Sequence, residues 1–268
     1  MTEPEDNWLK LRGGTAVVTG AAGGIGAAIA LELARNGMRV AVLDLQEDKA
    51  AAVADEAAEL GVDAVGMAID TSDPDAVTTV SNRVLERFGE VDVLINNAGI
   101  VRPGPLADIS LADWQRVIDV NLTGYLLCAQ TFGAAMRTRG RGSIVHVSSI
   151  CASNPQPNSG AYSPSKAAVS MLSRTLALEW AGSGVRSNVL SPGMIRTPMT
   201  ETIYLDQRVV DARNAAIPLG RVGTPQDLAD CAAWLASTRS AYVTGQDIIV
   251  DGGFDQSLLT HVPLPAKD

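Results

Sequence analysis

Residues Thr15 to Gly26 read T-A-V-V-T-G-A-A-G-G-I-G, an apolar run that passes directly into a glycine-rich turn. Beyond the turn, Ile25, Ile29 and Leu33 recur at the spacing of one helix face. A strand, a glycine turn and a helix N-terminus in this order predict an anion site, because backbone N–H groups and the helix dipole favour a phosphate. Glycine is needed where a side chain would block that phosphate, but it also serves tight packing of a helix on a strand. The turn alone leaves both interpretations open.

A second strand is predicted from Met38 to Leu43, and it delivers Asp44 eighteen residues after Gly26. Dinucleotide-binding folds place an acidic residue about 20 residues after their glycines, where it bonds the adenosine ribose hydroxyls. A carboxylate there would repel a 2′-phosphate, and neither Ala21 nor Ala22 supplies a compensating arginine. The sequence therefore favours NAD over NADP as the cofactor. The alternative role for Asp44 is to cap the helix that follows.

Strands and helices alternate along the rest of the chain. Further strands are predicted at Asp63–Ile69, Val91–Asn96, Ser143–Ser148 and Val185–Leu190, and helices at Asp48–Leu60, Pro74–Phe88, from Leu111 onward and at Ala161–Ala181. This alternation is typical of a parallel sheet covered by helices on both faces, with ligands bound at the carboxyl ends of the strands. The 268 residues contain no internal linker or second composition regime, so we expect one α/β domain over residues 1–268.

Composition and charge disfavour several classes of partner. The formal net charge of −9 argues against nucleic acid and anionic membranes, because phosphate contacts need clustered lysines and arginines. Three widely spaced cysteines without a C-x-x-C pair favour a reduced, cytoplasmic protein. His146 and His261 lie far apart, so we expect no metal site. The acidic start, Met1 to Asn7, is unlike a signal peptide, and no apolar run approaches the roughly 18 residues of a membrane span.

Candidate catalytic residues follow the predicted fifth strand. Tyr162 and Lys166 stand four residues apart, so on a helix they share one face. A neighbouring ammonium favours ionisation of a phenol, and such a pair can supply a general acid or base near neutral pH. Ser149, thirteen residues upstream of Tyr162, could bond the same substrate oxygen. The same spacing also occurs on exposed helix surfaces, so this motif is only suggestive by itself. Asn121 lies in a helical stretch, where asparagine is mildly unfavourable, which indicates a specific bond.

Five motifs together resemble those of the short-chain dehydrogenase/reductase family, over a stretch from about Leu11 to Phe254. They are T-G-A-A-G-G-I-G at 19–26, N-N-A-G at 96–99, Asn121, the set Ser149, Tyr162 and Lys166, and Pro192-Gly193 followed by Ile195 and Thr197. Each motif is weak alone, and five in order at these spacings are strong. The resemblance implies a single-domain Rossmann-like fold, a doubly wound parallel sheet of about seven strands, and a homo-oligomer, commonly a tetramer.

The resemblance also implies a role for each matching residue. Tyr162 would be the acid/base on the substrate oxygen, and Ser149 would bond that oxygen. Lys166 would lower the pKa of Tyr162 and hold the nicotinamide ribose, while Asn121 would place a water that relays protons. The implied cofactor-binding residues are Tyr162 and Lys166 themselves together with Gly20, Gly24, Ile25, Gly26, Asp44, Asp70, Thr71, Asn97, Gly99, Pro192, Gly193, Ile195 and Thr197.

These roles lead us to expect an NAD-dependent oxidoreductase that interconverts a secondary alcohol and its ketone or lactone. A 3-oxoacyl-thioester reductase is an alternative, disfavoured by Asp44 and by the negative net charge. A non-catalytic NAD-binding regulatory protein is another, since a fold does not determine a function. It would have no chemical need to keep all four catalytic residues.

The sequence indicates the lining of the substrate pocket less specifically than it indicates the cofactor site. Candidate lining residues are Arg102, Cys151, Asn154, Pro155, Gln156, Asn158, Met194 and Met199. The polar members favour a sugar or polyol, and the two methionines leave a hydrophobic cyclic alcohol open. The stretch 198–218 is interpreted either as a helical lid over the ligand or as an ordinary surface helix. Residues 255–268 form the C-terminal tail, and its part from His261 to Asp268, with two prolines, is expected to be ordered only where it meets another subunit.

Overall fold

Seven parallel strands form a single sheet in the computed structural model, which describes residues 8–257 together with residues 259 and 262. The strands are β1 (Thr15–Thr19), β2 (Arg39–Asp44), β3 (Ala64–Ala68), β4 (Val93–Asn96), β5 (Gly142–Val147), β6 (Val185–Pro192) and β7 (Asp247–Val250). Their order across the sheet is β3-β2-β1-β4-β5-β6-β7. The order reverses between β1 and β4, and the crevice outside the carboxyl ends there is where such sheets bind ligands. The predicted doubly wound parallel sheet is confirmed.

Eight α-helices cover the sheet within the described part of the chain. They are α1 (Gly24–Arg35), α2 (Glu47–Glu59), α3 (Pro74–Phe88), α4 (Leu111–Ile118), α5 (Gly124–Arg139), α6 (Tyr162–Trp180), α7 (Gln207–Ala216) and α8 (Pro225–Ala236). One apolar core joins α1, α2 and α8 to the sheet, and a second joins α3, α5 and α6 to its other face. Helices therefore cover both faces, as alternation along the sequence predicted.

The observed strand and helix boundaries lie within two residues of those predicted, except at the C-terminal end of the sheet. There, the sequence analysis did not locate α8 or β7. β7 is a four-residue edge strand that pairs with β6 alone, and the apolar run of Ile248 to Val250 was not recognised as a strand by the sequence analysis. The predicted helical character of residues 198–218 is confirmed by α7 and by a 3₁₀ turn at Glu201–Leu205.

The long helix α6 is anchored by its apolar stripe. Val169, Leu176 and Trp180 are buried as predicted, and Leu172 is half-buried. The indole of Trp180 lies against Gly133 of α5, where an added Cβ would come within 2.6 Å of the ring. This packing holds the helix whose first turn carries the candidate catalytic residues.

The prediction for the tail lies largely outside the described residues, which end at 257 apart from 259 and 262. Among the helices of the described part, none combines the length and the apolar character needed to cross a bilayer.

Candidate active site

The residues predicted to form the site gather at one edge of the sheet. Asp44 ends β2, Asn97 follows β4, Ser149 lies just beyond β5, and Pro192 ends β6. Because all these strands are parallel, their carboxyl ends share one edge. Residues separated by up to 148 positions in the sequence (44 to 192) are thereby brought to the same side of the molecule.

Ser149 and Tyr162 form the centre of the candidate site. The Ser149 Oγ accepts a hydrogen bond from the Cys151 N–H at 3.1 Å, and the Ser149 side chain lies beside the phenol of Tyr162. Burial raises the pKa of Tyr162 to about 12, with a further increase from Cys151, although the neighbouring Ser149 hydroxyl acts to lower it. The pKa of Tyr162 is therefore displaced upward, whereas the sequence analysis expected Lys166 to lower it.

Lys166 lies behind the phenol and is almost fully buried. Its Nζ donates to the Val147 carbonyl at 2.9 Å and to the Tyr125 hydroxyl at 3.4 Å. The same Nζ is 5.7 Å from the centroid of the Tyr162 ring. Burial lowers the pKa of Lys166 to about 7, because the charged ammonium loses its hydration. The ammonium is thus directed at the end of β5, which explains why it does not offset the effect of burial on Tyr162.

Tyr125 is a residue of this site that the sequence analysis missed. Its hydroxyl donates to the Val147 carbonyl at 3.0 Å, and its ring lies 5.2 Å from Lys166 Nζ and 5.8 Å from the His146 ring. The Asn96 side-chain N–H donates to the Tyr125 carbonyl at 3.0 Å. The sequence could have pointed to Tyr125 through its position, because it lies four residues, or about one helical turn, after Asn121.

Asn121 makes the specific bonds that its unfavourable position in a helix indicated. It lies in a π-helical turn, Asp119–Thr123, between α4 and α5. Its Oδ1 accepts from the Ile100 N–H at 2.8 Å, and its Nδ2 donates to the Ile100 carbonyl at 3.0 Å and to Ser165 Oγ at 3.1 Å. The side chain therefore ties the β4 end to α6. Its part in a proton relay remains a prediction.

The close-packing interpretation of the glycine turn is confirmed, and its use as a phosphate site remains a prediction. Close packing is required, because a Cβ at Gly26 would lie 2.3 Å from the Gly20 carbonyl oxygen. Asn97 Nδ2 donates to that same carbonyl at 2.8 Å, so Asn97 holds the turn. At the other end of the turn, α1 begins at Gly24 without a side-chain cap, and Ile25 packs against the core. An uncapped helix N-terminus of this kind fits the pyrophosphate of a dinucleotide.

Asp44 is held against the glycine turn. Its Oδ2 accepts from the Ala22 N–H at 3.1 Å, and its Oδ1 accepts from the Gln46 N–H at 3.1 Å. The second bond lies at the start of α2, so Asp44 partly fulfils the alternative role of organising that helix. The first bond fixes the carboxylate beside the predicted phosphate site, where the ribose of a dinucleotide would lie.

The predicted adenosine side continues with Asp70 and Thr71. Burial alone would raise the pKa of Asp70, but hydrogen bonds from Ser72 and the charge of Arg116 outweigh it and lower the pKa. Thr71 is buried, and its carbonyl oxygen lies so close to Gly124 that an added Cβ there would be 2.8 Å away. Both residues therefore lie in a rigid corner next to the β3 end.

Gly99 connects this side to the catalytic residues. A Cβ at Gly99 would lie 3.5 Å from both Lys166 Nζ and Asn121 Oδ1, so the backbone of Gly99 passes close to both side chains. Across the site, Gly193 donates its N–H to the Val250 carbonyl at 3.0 Å, and Ile195 is buried. The remaining residue of that motif, Thr197, faces the glycine turn, with its Cβ 3.5 Å from the position of a Cβ on Gly24.

The predicted substrate-pocket residues are only partly brought together. Cys151 lies beside Tyr162, and Met194 lines a cleft next to α7. The side chain of Asn154 instead donates to Asp255 in the segment after β7. The other candidates are wholly or largely exposed: Arg102, Pro155, Gln156, Asn158 and Met199. In the described part of the chain, no group of three or more His, Cys, Asp or Glu side chains is arranged to hold a metal ion.

The cleft next to α7 was not predicted as a unit. It is an open depression of about 500 Å³ that begins at Met194, two residues after the end of β6. We call it the α7 cleft; its lining residues are Met194, Asp206, Arg208, Val209, Ala212, Arg213 and Ala216. Sequence reasoning identified Met194 but no residue of α7, because nothing in a short amphiphilic helix indicates which side faces a cleft.

Comparison with known proteins places this geometry in a family. The family model described as enoyl-(acyl carrier protein) reductase matches residues 20–255. The cis-4-hydroxycyclohexanecarboxylate dehydrogenase of Sinomonas cyclohexanicum is 41% identical over 240 residues, which cover 89% of this chain and 95% of that protein. The D-threitol dehydrogenase of Mycolicibacterium smegmatis is 39% identical over 249 residues, covering 92% and 94%.

A solved structure agrees with these sequence matches. The gluconate 5-dehydrogenase from Burkholderia cenocepacia J2315, in complex with NADP and tartrate, superimposes with a TM-score of 0.88 at 32% identity. The match covers 93% of this chain and 99% of that one. With a family model over most of its length and relatives of this identity and coverage, the chain belongs to the short-chain dehydrogenase/reductase family.

Proposed function

We propose that the protein is an NAD-dependent oxidoreductase that transfers a hydride between a secondary alcohol and its ketone or lactone. The observation that carries the proposal is the placing of the Ser149 hydroxyl beside the buried phenol of Tyr162, with the buried ammonium of Lys166 5.7 Å from the Tyr162 ring centroid. Two hydroxyls that converge can hold a single substrate oxygen, and a nearby cation stabilises negative charge that develops there.

The side chains divide the work of moving a proton. In the oxidative direction, Ser149 orients the alcohol oxygen and Tyr162 takes its proton. Burial alone keeps the pKa of Tyr162 high, so positive charge has to outweigh burial before this phenol can act as a base. Lys166 provides one such charge and would hold the ribose hydroxyls near Gly99, and Asn121 would place the relaying water. The nicotinamide cofactor supplies the hydride acceptor and, when oxidised, a second positive charge.

The test is Tyr162→Phe, which removes the hydroxyl and keeps the ring. We expect NAD reduction with an alcohol substrate to fall by about 10²- to 10⁴-fold, the usual contribution of a general acid or base. NAD affinity, measured by equilibrium titration, should change little. Tyr242→Phe is the matched control, because that tyrosine is fully exposed and should be silent. Turnover that survives in Tyr162→Phe would falsify the assigned acid/base.

The preference for NAD rests on Asp44. Its carboxylate is fixed beside the glycine turn, where it would repel the 2′-phosphate of NADP. The related gluconate 5-dehydrogenase holds NADP in its solved structure, so members of the family differ in this respect. We therefore propose NAD for this chain on the charge of Asp44 and not on family membership.

The names of the relatives support a small hydroxylated substrate. One acts on a polyol, as the sequence analysis favoured, and another on a hydroxylated ring carrying a carboxylate, which is the cyclic alternative. We propose a small secondary alcohol, oxidised in the cell. A screen of NAD reduction against polyols, sugars, cyclic alcohols and hydroxy acids would identify it.

A 3-oxoacyl-thioester reductase is a second candidate, because proteins named 3-oxoacyl-[acyl-carrier-protein] reductase from Thermotoga maritima and Synechocystis are 38% and 39% identical to this chain. Asp44 and the net charge of −9 disfavour it, since that activity calls for a basic surface to dock an acidic carrier. NADPH-dependent reduction of a 3-oxoacyl thioester, faster than NAD-dependent oxidation of any alcohol, would favour this candidate instead. A regulatory NAD-binding protein would show neither activity.

Three further expectations stay proposals. We propose that the helical segment 198–218 closes over the substrate, since α7 borders the α7 cleft. The family resemblance supports a homo-oligomer, commonly a tetramer. The spacing of the cysteines supports a reducing, cytoplasmic location.

A further inference from the structure

Arg213 differs from the other arginines in the segment from 196 to 221. Those others each lie within 2.8 Å of a carboxylate: Arg196 of Glu201, Arg208 of Asp206, and Arg221 of Asp227. Arg213 has no carboxylate within ion-pair distance among the residues that the structure describes, yet it lines the α7 cleft. Its charge is therefore available to a ligand.

The guanidinium of Arg213 is held in place. Its Nη1 donates to the Tyr204 hydroxyl at 2.8 Å, and its Cζ lies 5.0 Å from the centroid of the Tyr204 ring. Tyr204 is itself buried, with 5% of its surface exposed. The next residue along α7, Asn214, accepts a hydrogen bond from the Val222 N–H at 2.9 Å and so fixes the end of the helix. A cation that is already oriented loses little freedom when it binds an anion.

The other residues of the α7 cleft indicate what kind of chemical group would carry that anion. Met194, Val209, Ala212 and Ala216 provide an apolar wall, and the charges of Asp206 and Arg208 cancel each other. The lining therefore carries one uncompensated positive charge beside an apolar surface. A planar guanidinium pairs well with a carboxylate, which presents two oxygens and a single negative charge.

The position of the α7 cleft allows a ligand to reach both Arg213 and the candidate catalytic residues. Met194 lies two residues after the end of β6, and β6 pairs with β5, whose carboxyl end leads to Ser149. A molecule with its hydroxyl between Ser149 and Tyr162 can therefore extend along the sheet edge toward α7. We propose that Arg213 binds a carboxylate of the substrate, so that the substrates are hydroxy acids with an apolar body. This inference rests on the proposed function for the reacting hydroxyl, but carboxylate binding can be tested without turnover.

The experiment measures binding of cyclohexanecarboxylate and of cyclohexanecarboxamide to the full chain with NAD, by isothermal titration. The two probes share a ring and differ in charge. We expect the acid to bind the wild type about tenfold more tightly than the amide, as a charge-assisted pair predicts. Arg213→Gln should abolish this difference, and Arg213→Lys should retain part of it. Arg83→Gln is the matched control, because that arginine is exposed on α3 and does not line the α7 cleft.

Each result decides the matter. Equal or undetectable binding of the acid by the wild type overturns the inference, and so does an acid preference that survives in Arg213→Gln. Tyr204→Phe removes the hydrogen-bond partner of Arg213 but keeps the charge of Arg213, so this variant should keep most of the preference for the acid. If Tyr204→Phe loses the preference as completely as Arg213→Gln does, the structure of the lid, and not the charge, is responsible. Because the probes carry no reacting hydroxyl, failure of the proposed oxidoreductase activity would leave this binding result intact.

Discussion

At the scale of single residues, Lys166 depends on what surrounds its ammonium. Tyr125 supplies an acceptor at 3.4 Å and a ring face at 5.2 Å in a buried environment. A buried cation that loses such a partner loses part of the stabilisation of its charged form. We therefore propose that Tyr125 is a positioning residue, which would act on the reaction only through Lys166.

Tyr125→Phe tests this role. We expect kcat/KM for alcohol oxidation near pH 7 to fall about three- to tenfold, since the variant loses one charge-assisted hydrogen bond. In the wild type, the rate of oxidation should rise with pH as Tyr162 loses its proton. The variant should show the same rise displaced to higher pH, because a less cationic Lys166 favours the phenolate less. A rate loss without any displacement of the pH profile would mean that Tyr125 only fills space.

The charge of Asp44 can be tested separately from its shape. Asp44→Asn removes the charge and keeps an oxygen for the N–H groups of Ala22 or Gln46, whereas Asp44→Ala removes both. We expect the wild type to have a higher kcat/KM with NAD than with NADP, and both variants to lower the ratio about tenfold or more. If only Asp44→Ala changes the ratio, turn structure is responsible. A wild type that prefers NADP contradicts the charge argument.

Residue types and spacing were enough to find Ser149, Tyr162 and Lys166, because their chemistry is visible in the sequence. The sequence did not show in which direction the pKa of Tyr162 is shifted, because that shift depends on burial and on where the Lys166 ammonium points. Tyr125 was missed for the same reason: a tyrosine in an apolar helix is indistinguishable from a core residue until its hydroxyl is located.

At the scale of elements, the packing of α5 on α6 depends on one glycine. A Cβ at Gly133 would lie 2.6 Å from the Trp180 ring, so the indole occupies the space of a side chain. Within a helix, alanine has a better propensity than glycine by about 1 kcal/mol, but overpacking of a core costs about 1–3 kcal/mol. The clash should therefore exceed the gain.

We expect Gly133→Ala to lower the free energy of unfolding by about 1–2 kcal/mol, measured by urea denaturation. Tyr162 lies at the other end of α6, eighteen residues or about 27 Å away, so kcat should stay nearly unchanged. Gly182→Ala is the control, because an added Cβ there meets nothing within 4 Å. Equal stability of Gly133→Ala and wild type would show that the helices adjust without cost.

Element boundaries followed from apolar periodicity where an element is long and buried. Apolar periodicity did not predict the boundaries of elements whose structure depends on contacts with residues distant in the sequence. The π-helical turn Asp119–Thr123 forms where Asn121 bonds to Ile100 and Ser165, which are distant in sequence. β7 pairs with the edge of β6, and its three apolar residues, Ile248 to Val250, are too short a run to show by themselves that a strand forms there.

At the scale of the whole molecule, alternation of strands and helices predicted the doubly wound sheet, because each strand–helix–strand unit must cross in the same sense. The gathering of polar residues at one edge follows from that topology alone. The α7 cleft does not, since its shape depends on how a helix after β6 leans over the sheet edge.

Acid stability of the whole fold depends on His146. This side chain is fully buried, and its Nδ1 lies 3.2 Å from Asn96 Nδ2. Burial, with a smaller effect of the Lys166 charge, lowers the pKa of His146 from 6.5 to about 3. A base whose pKa is depressed by folding is neutral in the native state and protonated in the unfolded state between these two values. Its contribution is therefore present above pH 6.5 and is lost as pH falls toward 3.

Between pH 6.5 and 4.5, the pH dependence of the unfolding free energy is expected to come from His146. The carboxyls of Asp70 and Asp227, whose pKa values folding lowers, reduce stability only below about their unfolded value of 3.8. Lys166, with a pKa lowered to about 7, affects stability only above that pH, where the unfolded chain alone keeps the proton up to 10.5. We expect the wild type to lose about 2 kcal/mol of unfolding free energy between pH 6.5 and 4.5.

His146→Asn replaces the titrating ring with a neutral polar side chain. The variant should be less stable at pH 7, because it loses the contact with the Tyr125 ring, but its unfolding free energy should hardly change between pH 6.5 and 4.5. The comparison is made on the slope with pH, from urea titrations, so that the cost of repacking cancels. If the variant keeps the slope of the wild type, the proton that destabilises the fold in acid binds elsewhere, and the neutral state of His146 is not what couples folding to pH.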